Sequence, residues 1–170
     1  MVTVGVLIHV PQPLAGRVAE VRSAVTEVLE DVPTHVTLVP PATLLEDDLD
    51  AFAEHLAQVA AQARPFEIRL CGTATFQPVT DVVYLRVLEG AAECDVLQDH
   101  LRRGPAAIDL RYPYHPHVTL AHDVPQAALD LVREHMSAVD ETFTVDRFVL
   151  HVERPGEQWQ PVREFSLGGS

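Results

Sequence analysis

His35-Val36-Thr37-Leu38 and His117-Val118-Thr119-Leu120 are one tetrapeptide, written once in each half of a 170-residue chain. Both copies read as short strands, with β-branched residues at the second and third positions. Side chains alternate faces along a strand, so His35 and Thr37 share one face while Val36 and Leu38 take the other. His117 and Thr119 stand in the same relation to Val118 and Leu120. Each strand therefore offers an imidazole and a hydroxyl side by side, gripped from behind by apolar residues. Two such strands across a cleft would surround one small group with two histidines and two threonines. The set suits a phosphate, with one imidazole as general base, the other as general acid, and hydroxyls as donors to phosphoryl oxygens.

Working outward from the two motifs, the same order of elements appears twice. Residues 2–10 alternate and cluster as a strand closed by Pro11 and Pro13. Leu14 to Leu29 follow at helical spacing through Val18, Val21, Arg22, Val25 and Val28. The first motif strand spans 35–39 and should stop at Pro40-Pro41. A helix with the acidic start Glu46-Asp47-Asp48 carries the stripe Leu49, Phe52, Ala53, Leu56, Val59 and Ala60, and a strand over 66–71 ends the unit. The second unit runs strand 82–88, helix 91–103, motif strand 117–121, helix 125–138 and one long strand, 143–152. A last strand over 158–167 would be hairpinned through Pro155-Gly156, and Ile108 to His115 could hold a further short strand. Prolines precede both histidines, at Pro33 and Pro116. The expected fold is α+β: a duplicated β-α-β-α-β chain in two lobes, approximately 1–80 and 81–170, with strand exchange between lobes allowed for. Two antiparallel-type sheets would splay about a central cleft, with helices outside.

Composition removes several function classes. An apolar fraction of 47% and a charged fraction of 22% are those of an ordinary globular protein, and no stretch approaches the ~20 apolar residues of a membrane span. Met1 to Val10 is apolar but lacks basic residues and runs straight into patterned structure, so it reads as fold and not as a signal peptide. Cys71 and Cys94 form no CxxC pair and read as buried thiols in a reducing cytoplasm. The formal charge of −13 excludes a long polyanion as partner, because phosphate neutralisation by basic side chains supplies most of that affinity. All twelve basic residues are arginines, which excludes lysyl-adenylate ligases and P-loop chemistry. GxGxxG, GxSxG and HExxH are missing as well.

The paired His-x-Thr-hydrophobic motifs, and the longer run Tyr114-His115-Pro116-His117-Val118-Thr119-Leu120-Ala121, resemble the two-histidine phosphoesterase superfamily. Within it they are most similar to the 2′-5′ RNA ligase-like and RNA 2′,3′-cyclic phosphodiesterase proteins. The resemblance implies a bilobal fold, a site free of metal and cofactor, and opening of a cyclic phosphate by His35 and His117, with Thr37 and Thr119 as phosphate donors. It also implies a product that keeps a 2′-phosphate. The chain departs from the RNA-processing members at His122, where they tend to carry an arginine, and at Val39-Pro40-Pro41 after the first motif. The expected partner is therefore an RNA end or a small nucleotide with a cyclic phosphate, acted on by a cytoplasmic monomer. Alternatives are a phosphodiesterase for an ADP-ribose cyclic phosphate or a 2′-5′ oligonucleotide, and a nucleotide-binding module without catalysis.

Four further residues are candidates for substrate binding: Tyr114, Phe76, His122 and His9. Tyr114 could stack on a base or fill the lobe interface, and Phe76 could stack on a base or pack in the core. His9, near the end of the first strand, could face the cleft or cap the core. His115, His117 and His122 could be read as zinc ligands, but their spacing matches no tight ligand motif.

Overall fold

The computed structural model describes residues 1–26 and 32–168, arranged as two four-stranded antiparallel sheets and four helices. The strands are β1 (Val2–His9), β2 (His35–Leu44), β3 (Phe66–Thr75), β4 (Val82–Glu89), β5 (His117–His122), β6 (Asp140–Val145), β7 (Arg147–Glu153) and β8 (Gln160–Ser166). The helices are α1 (Leu14–Val25), α2 (Leu49–Gln62), α3 (Ala91–Arg102) and α4 (Gln126–His135), and a 3₁₀ turn at Glu46–Asp48 leads into α2. Val28 and Leu29, expected in the first helix, lie outside the described residues.

One sheet has the order β2-β1-β7-β8 and the other β5-β4-β3-β6. The two orders correspond: each motif strand lies at an edge, beside the first strand of its own unit. Sheet membership does not follow the halves of the chain, since β3 pairs with β4, and β7 with β1. The inner strands β1 and β7 are buried at nearly every residue, which is why they read as apolar runs, whereas the edge strand β8 buries little beyond Phe165. α2 buries Phe52, Leu56 and Ala60, and α4 buries Leu129 and Val132 with Met136 just beyond its end. α1 lies against β5, and α3 against β2, so each of these helices crosses to the other unit's motif strand. Among the described residues no helix is long and apolar enough to cross a membrane.

Five local expectations need correction. β2 does not stop at Pro40-Pro41 but continues to Leu44. The prolines fall between the pairs Val4↔Ala42 and Val6↔Val39, where the register slips by one residue, and an edge strand accommodates missing donors at such a bulge. β3 likewise runs on to Thr75, past an irregularity at Gly72, whose φ of 70° favours glycine. The long strand 143–152 is two strands, β6 and β7, broken at Asp146 and belonging to different sheets. The alternation slips at the break, where Asp146 and Arg147 are both exposed between buried Val145 and Phe148, and this change of phase accompanies the change of sheet. Residues 108–115 form no strand; Arg102 clamps this loop by donating from Nη1 to the Ile108 carbonyl, and Ala107 sits at φ 38°. Both cysteines are free, but only Cys94 is buried, with its thiol pushed up to about 12 by desolvation, while Cys71 is half-buried.

Candidate active site

The two motifs have the same burial pattern. In β2, Val36 and Leu38 are fully buried while His35 and Thr37 are half-buried; in β5, Val118 and Leu120 are buried while His117 and Thr119 are half-buried. The alternation of a strand thus pins each imidazole and hydroxyl by anchoring the residues between them in the core. β2 and β5 lie against each other, which brings the two edges of the separate sheets together.

Ring orientation repeats as well. Nδ1 of His35 lies 2.7 Å from the carbonyl oxygen of Pro33, and Nδ1 of His117 lies 2.6 Å from that of His115. A carbonyl only accepts, so in each ring Nδ1 carries the hydrogen and donates it to the residue two positions earlier. Nε2 is then the atom that gains or loses a proton in both rings. Burial lowers both pKa values below that of free imidazole, and the backbone carbonyls partly oppose this. Positive charge on Arg22, His9 and His117 lowers His35 further, so a proton on one motif histidine disfavours a proton on the other.

His117 is set in an aromatic frame. Phe76 and Tyr84 stack on each other at 4.3 Å, and both meet the His117 ring edge-on, at 4.9 and 5.3 Å. Phe76 therefore stands beside a motif histidine as a wall. Tyr114, in the loop before β5, donates its hydroxyl hydrogen to the Thr37 carbonyl at 2.9 Å. That bond ties the loop holding His117 to the opposite motif strand. His9 is the cross-strand partner of His35 in β1 and shares its face. His122 is exposed and paired at 2.9 Å with Asp123, apart from His115 and His117. It lines a small cavity of about 250 Å³ whose other wall is Arg22 and Thr26 of the α1 end. Among the described residues, no group of three or more His, Cys, Asp or Glu side chains is arranged to hold a metal ion. A cavity of about 910 Å³ between α2 and α3 contains none of the motif residues.

Two side chains near His35 escaped the sequence reading. His151 of β7 is 1% exposed, and its Nε2 lies 3.0 Å from Nε2 of His9. Trp159, in the β7–β8 connection, stacks on the His151 ring at 5.7 Å and also covers Gly5, where a Cβ would meet the indole at 2.8 Å. The only sequence signal for His151 is a lone polar residue within the apolar run Phe148 to Val152.

Comparison with known proteins adds three findings. Residues 10–157 match the sequence profile of the 2′-5′ RNA ligase superfamily. A protein of Oceanobacillus iheyensis named as an inferred phosphoesterase is 30% identical over 139 residues, covering 81% of each chain, and one of Geobacillus kaustophilus is 29% identical over 140 residues, covering 81% of this chain and 80% of its own. Among solved structures, Escherichia coli LigT in apo form superposes with a TM-score of 0.71 at 19% identity over 98% of both chains. LigT complexed with 3′-AMP does so with a TM-score of 0.69 at 16% identity, over 96% of this chain and 97% of its own. TT0787 of Thermus thermophilus gives 0.68 at 21% identity, over 98% of both.

Proposed function

The chain belongs to the 2′-5′ RNA ligase superfamily of two-histidine phosphoesterases, and from that membership we propose that it opens 2′,3′-cyclic phosphates by acid–base catalysis between His35 and His117, without a metal or cofactor. The observation that carries this reading is the repeated ring anchoring: in both motifs Nδ1 is committed to a backbone carbonyl, leaving Nε2 as the proton-transfer atom. One Nε2, unprotonated, takes a proton from water as its oxygen attacks phosphorus. The other, protonated, gives its proton to the departing ribose 3′ oxygen as the P–O3′ bond breaks. The product keeps a 2′-phosphate monoester. Thr37 and Thr119 donate to the non-bridging oxygens, where stabilisation of developing charge in a partly desolvated cleft is worth most. Because a proton on either ring disfavours one on the other, the singly protonated pair that this scheme requires is the natural intermediate state.

A small nucleotide or the terminal residue of an RNA fits better than a long strand. The chain carries a formal charge of −13, and its relative LigT has been solved with 3′-AMP, NADP⁺ and ATP, all small nucleotides. Phe76 stands beside His117, within reach of a group bound there. The test is hydrolysis of a panel of nucleoside 2′,3′-cyclic phosphates, an ADP-ribose cyclic phosphate and a 2′-5′ dinucleotide by the wild type, His35→Ala and His117→Ala. Each single variant should lose at least ~10²-fold in turnover, and the double variant should be little worse than the poorer single one. Equal turnover by wild type and both variants, or none by the wild type on any cyclic phosphate, removes the assignment.

A further inference from the structure

We propose that His9 is a third imidazole of the reaction centre, presenting a neutral Nδ1–H as a hydrogen-bond donor to a phosphoryl oxygen beside His35, with His151 as the positioning residue that fixes it in that form. This deepens the phosphate reading of the cleft and rests on it. Register places His9 directly across from His35, on the same face of the sheet. At the corresponding place in the other half, the partner of His117 is Arg86, a side chain that carries only donors. Both motif histidines are therefore flanked across the strand by a group able to donate.

The direction of the His9–His151 hydrogen bond decides which edge His9 offers. Two neutral imidazoles meeting Nε2 to Nε2 at 3.0 Å share one hydrogen, so one ring donates and the other accepts. Nδ1 of His151 is buried and has no hydrogen-bond partner among the described residues. If His9 donated, the hydrogen of His151 would have to sit on that buried Nδ1 with no acceptor, at a cost of about 1–3 kcal/mol. If His151 donates from Nε2, its Nδ1 is a bare lone pair, and buried orphan acceptors are tolerated better than buried orphan donors. The second arrangement holds, and His9 must then carry its hydrogen on Nδ1, the nitrogen not engaged by His151.

Burial above all keeps His151 neutral, with its pKa down at about 4, and a proton on His9 or His35 disfavours one on His151 further. His9 is lowered by burial and raised by Glu164. Trp159 seals the arrangement by stacking on His151, in space left open by the missing side chain of Gly5. The indole stacks on His151, and His151 meets His9 edge-on, so the three rings form a connected series that ends at His9 beside His35, with His151 the fully buried member.

Long-range ¹H–¹⁵N spectra of histidine-labelled full-length protein read the tautomers directly. The expected result is a single Nδ1–H form for His9 and a single Nε2–H form for His151. Titration with inorganic phosphate should shift the ring signals of His9 together with those of His35 and His117. In His151→Phe, which keeps an aromatic against Trp159, His9 should lose its single tautomer and phosphate should bind about tenfold more weakly. His9→Phe should weaken phosphate to a similar degree, whereas His9→Gln, which keeps an N–H, should recover part of the loss. An Nε2–H tautomer at His9 in the wild type overturns the proposal, and so does phosphate that shifts His35 and His117 but leaves His9 unmoved. Phosphate shifting all three rings without turnover of any cyclic phosphate supports the donor site and removes only the hydrolytic reading.

Discussion

Acid should destabilise this protein through one residue more than any other. In the folded chain His151 titrates at about 4, against 6.5 for a free imidazole, because it is buried and faces His9 and His35. A depressed pKa means that the unfolded chain binds the proton first. The contribution to stability is intact above about pH 6.5 and is lost as pH falls towards 4. At ~1.4 kcal/mol per pH unit, the full window between 6.5 and about 4 is worth about 3 kcal/mol, of which about 2 kcal/mol is gone by about pH 5. That is a large share of the 5–15 kcal/mol typical of a whole domain. Urea unfolding of the wild type and His151→Phe, each at about pH 7.5 and about pH 5, isolates the effect, because the other histidines titrate in both proteins. The wild type should lose about 2 kcal/mol more than the variant between the two conditions. Equal losses in the two proteins, with unchanged urea slopes, would mean that His151 is not held neutral by its surroundings, and the account of the His9–His151 pair would go with it.

The pH profile of kcat/KM should be bell-shaped, and its centre should lie on the acid side of the free imidazole value, since burial lowers both His35 and His117; a profile flat across the histidine range would contradict the assigned roles. Exhaustive chelation should leave turnover unchanged, and loss with EDTA that zinc or manganese restores would show a metal taking part. Tyr114→Phe removes the hydroxyl that reaches the Thr37 carbonyl and should cost about 1 kcal/mol in thermal or urea stability while lowering kcat more than it raises KM; a variant with wild-type kcat would show that the bond does not set the spacing of the motifs. Gly5→Ala should destabilise by about 1–3 kcal/mol, because the new methyl meets the Trp159 ring at 2.8 Å; unchanged unfolding with unchanged tryptophan fluorescence would show that the indole does not rest there.

The motif strands were legible because strand periodicity and catalytic chemistry coincide in them: the same alternation that buries Val36 and Leu38 exposes His35 and Thr37. Helices α2 and α4 were legible from their apolar stripes for the same local reason. What escaped depends on partners distant in sequence. One sign was local and was passed over: Asp146-Arg147, two polar residues in succession between Val145 and Phe148, break the alternation where the chain changes sheet. Pro40-Pro41 looked like a stop because nothing local says that β2 is an edge strand. His151 belongs to the site only because β7 is laid beside β1, and Trp159 only because the β7–β8 connection folds over Gly5. Arg22 read as part of a helical stripe, and only the tertiary placement of α1 brings its charge to bear on His35. His122 was legible in the opposite sense: adjacent in sequence to the second motif, it turns to Asp123 at the surface.

The exchange of strands between halves has a consequence for how the chain can be cut. Residues 1–80 supply only β1 and β2 to their own sheet, and an isolated two-stranded ribbon is marginal in water. The third strand of that half, β3, finds its neighbours in β4 and β6, which the other half brings. Neither fragment owns a complete sheet, and α1 and α3 each cover a motif strand from the opposite fragment. The two pieces are thus interdependent in the manner of a split reporter: separately they lack what they need to fold, and mixed they have every strand required to rebuild both sheets and bring the two histidines together.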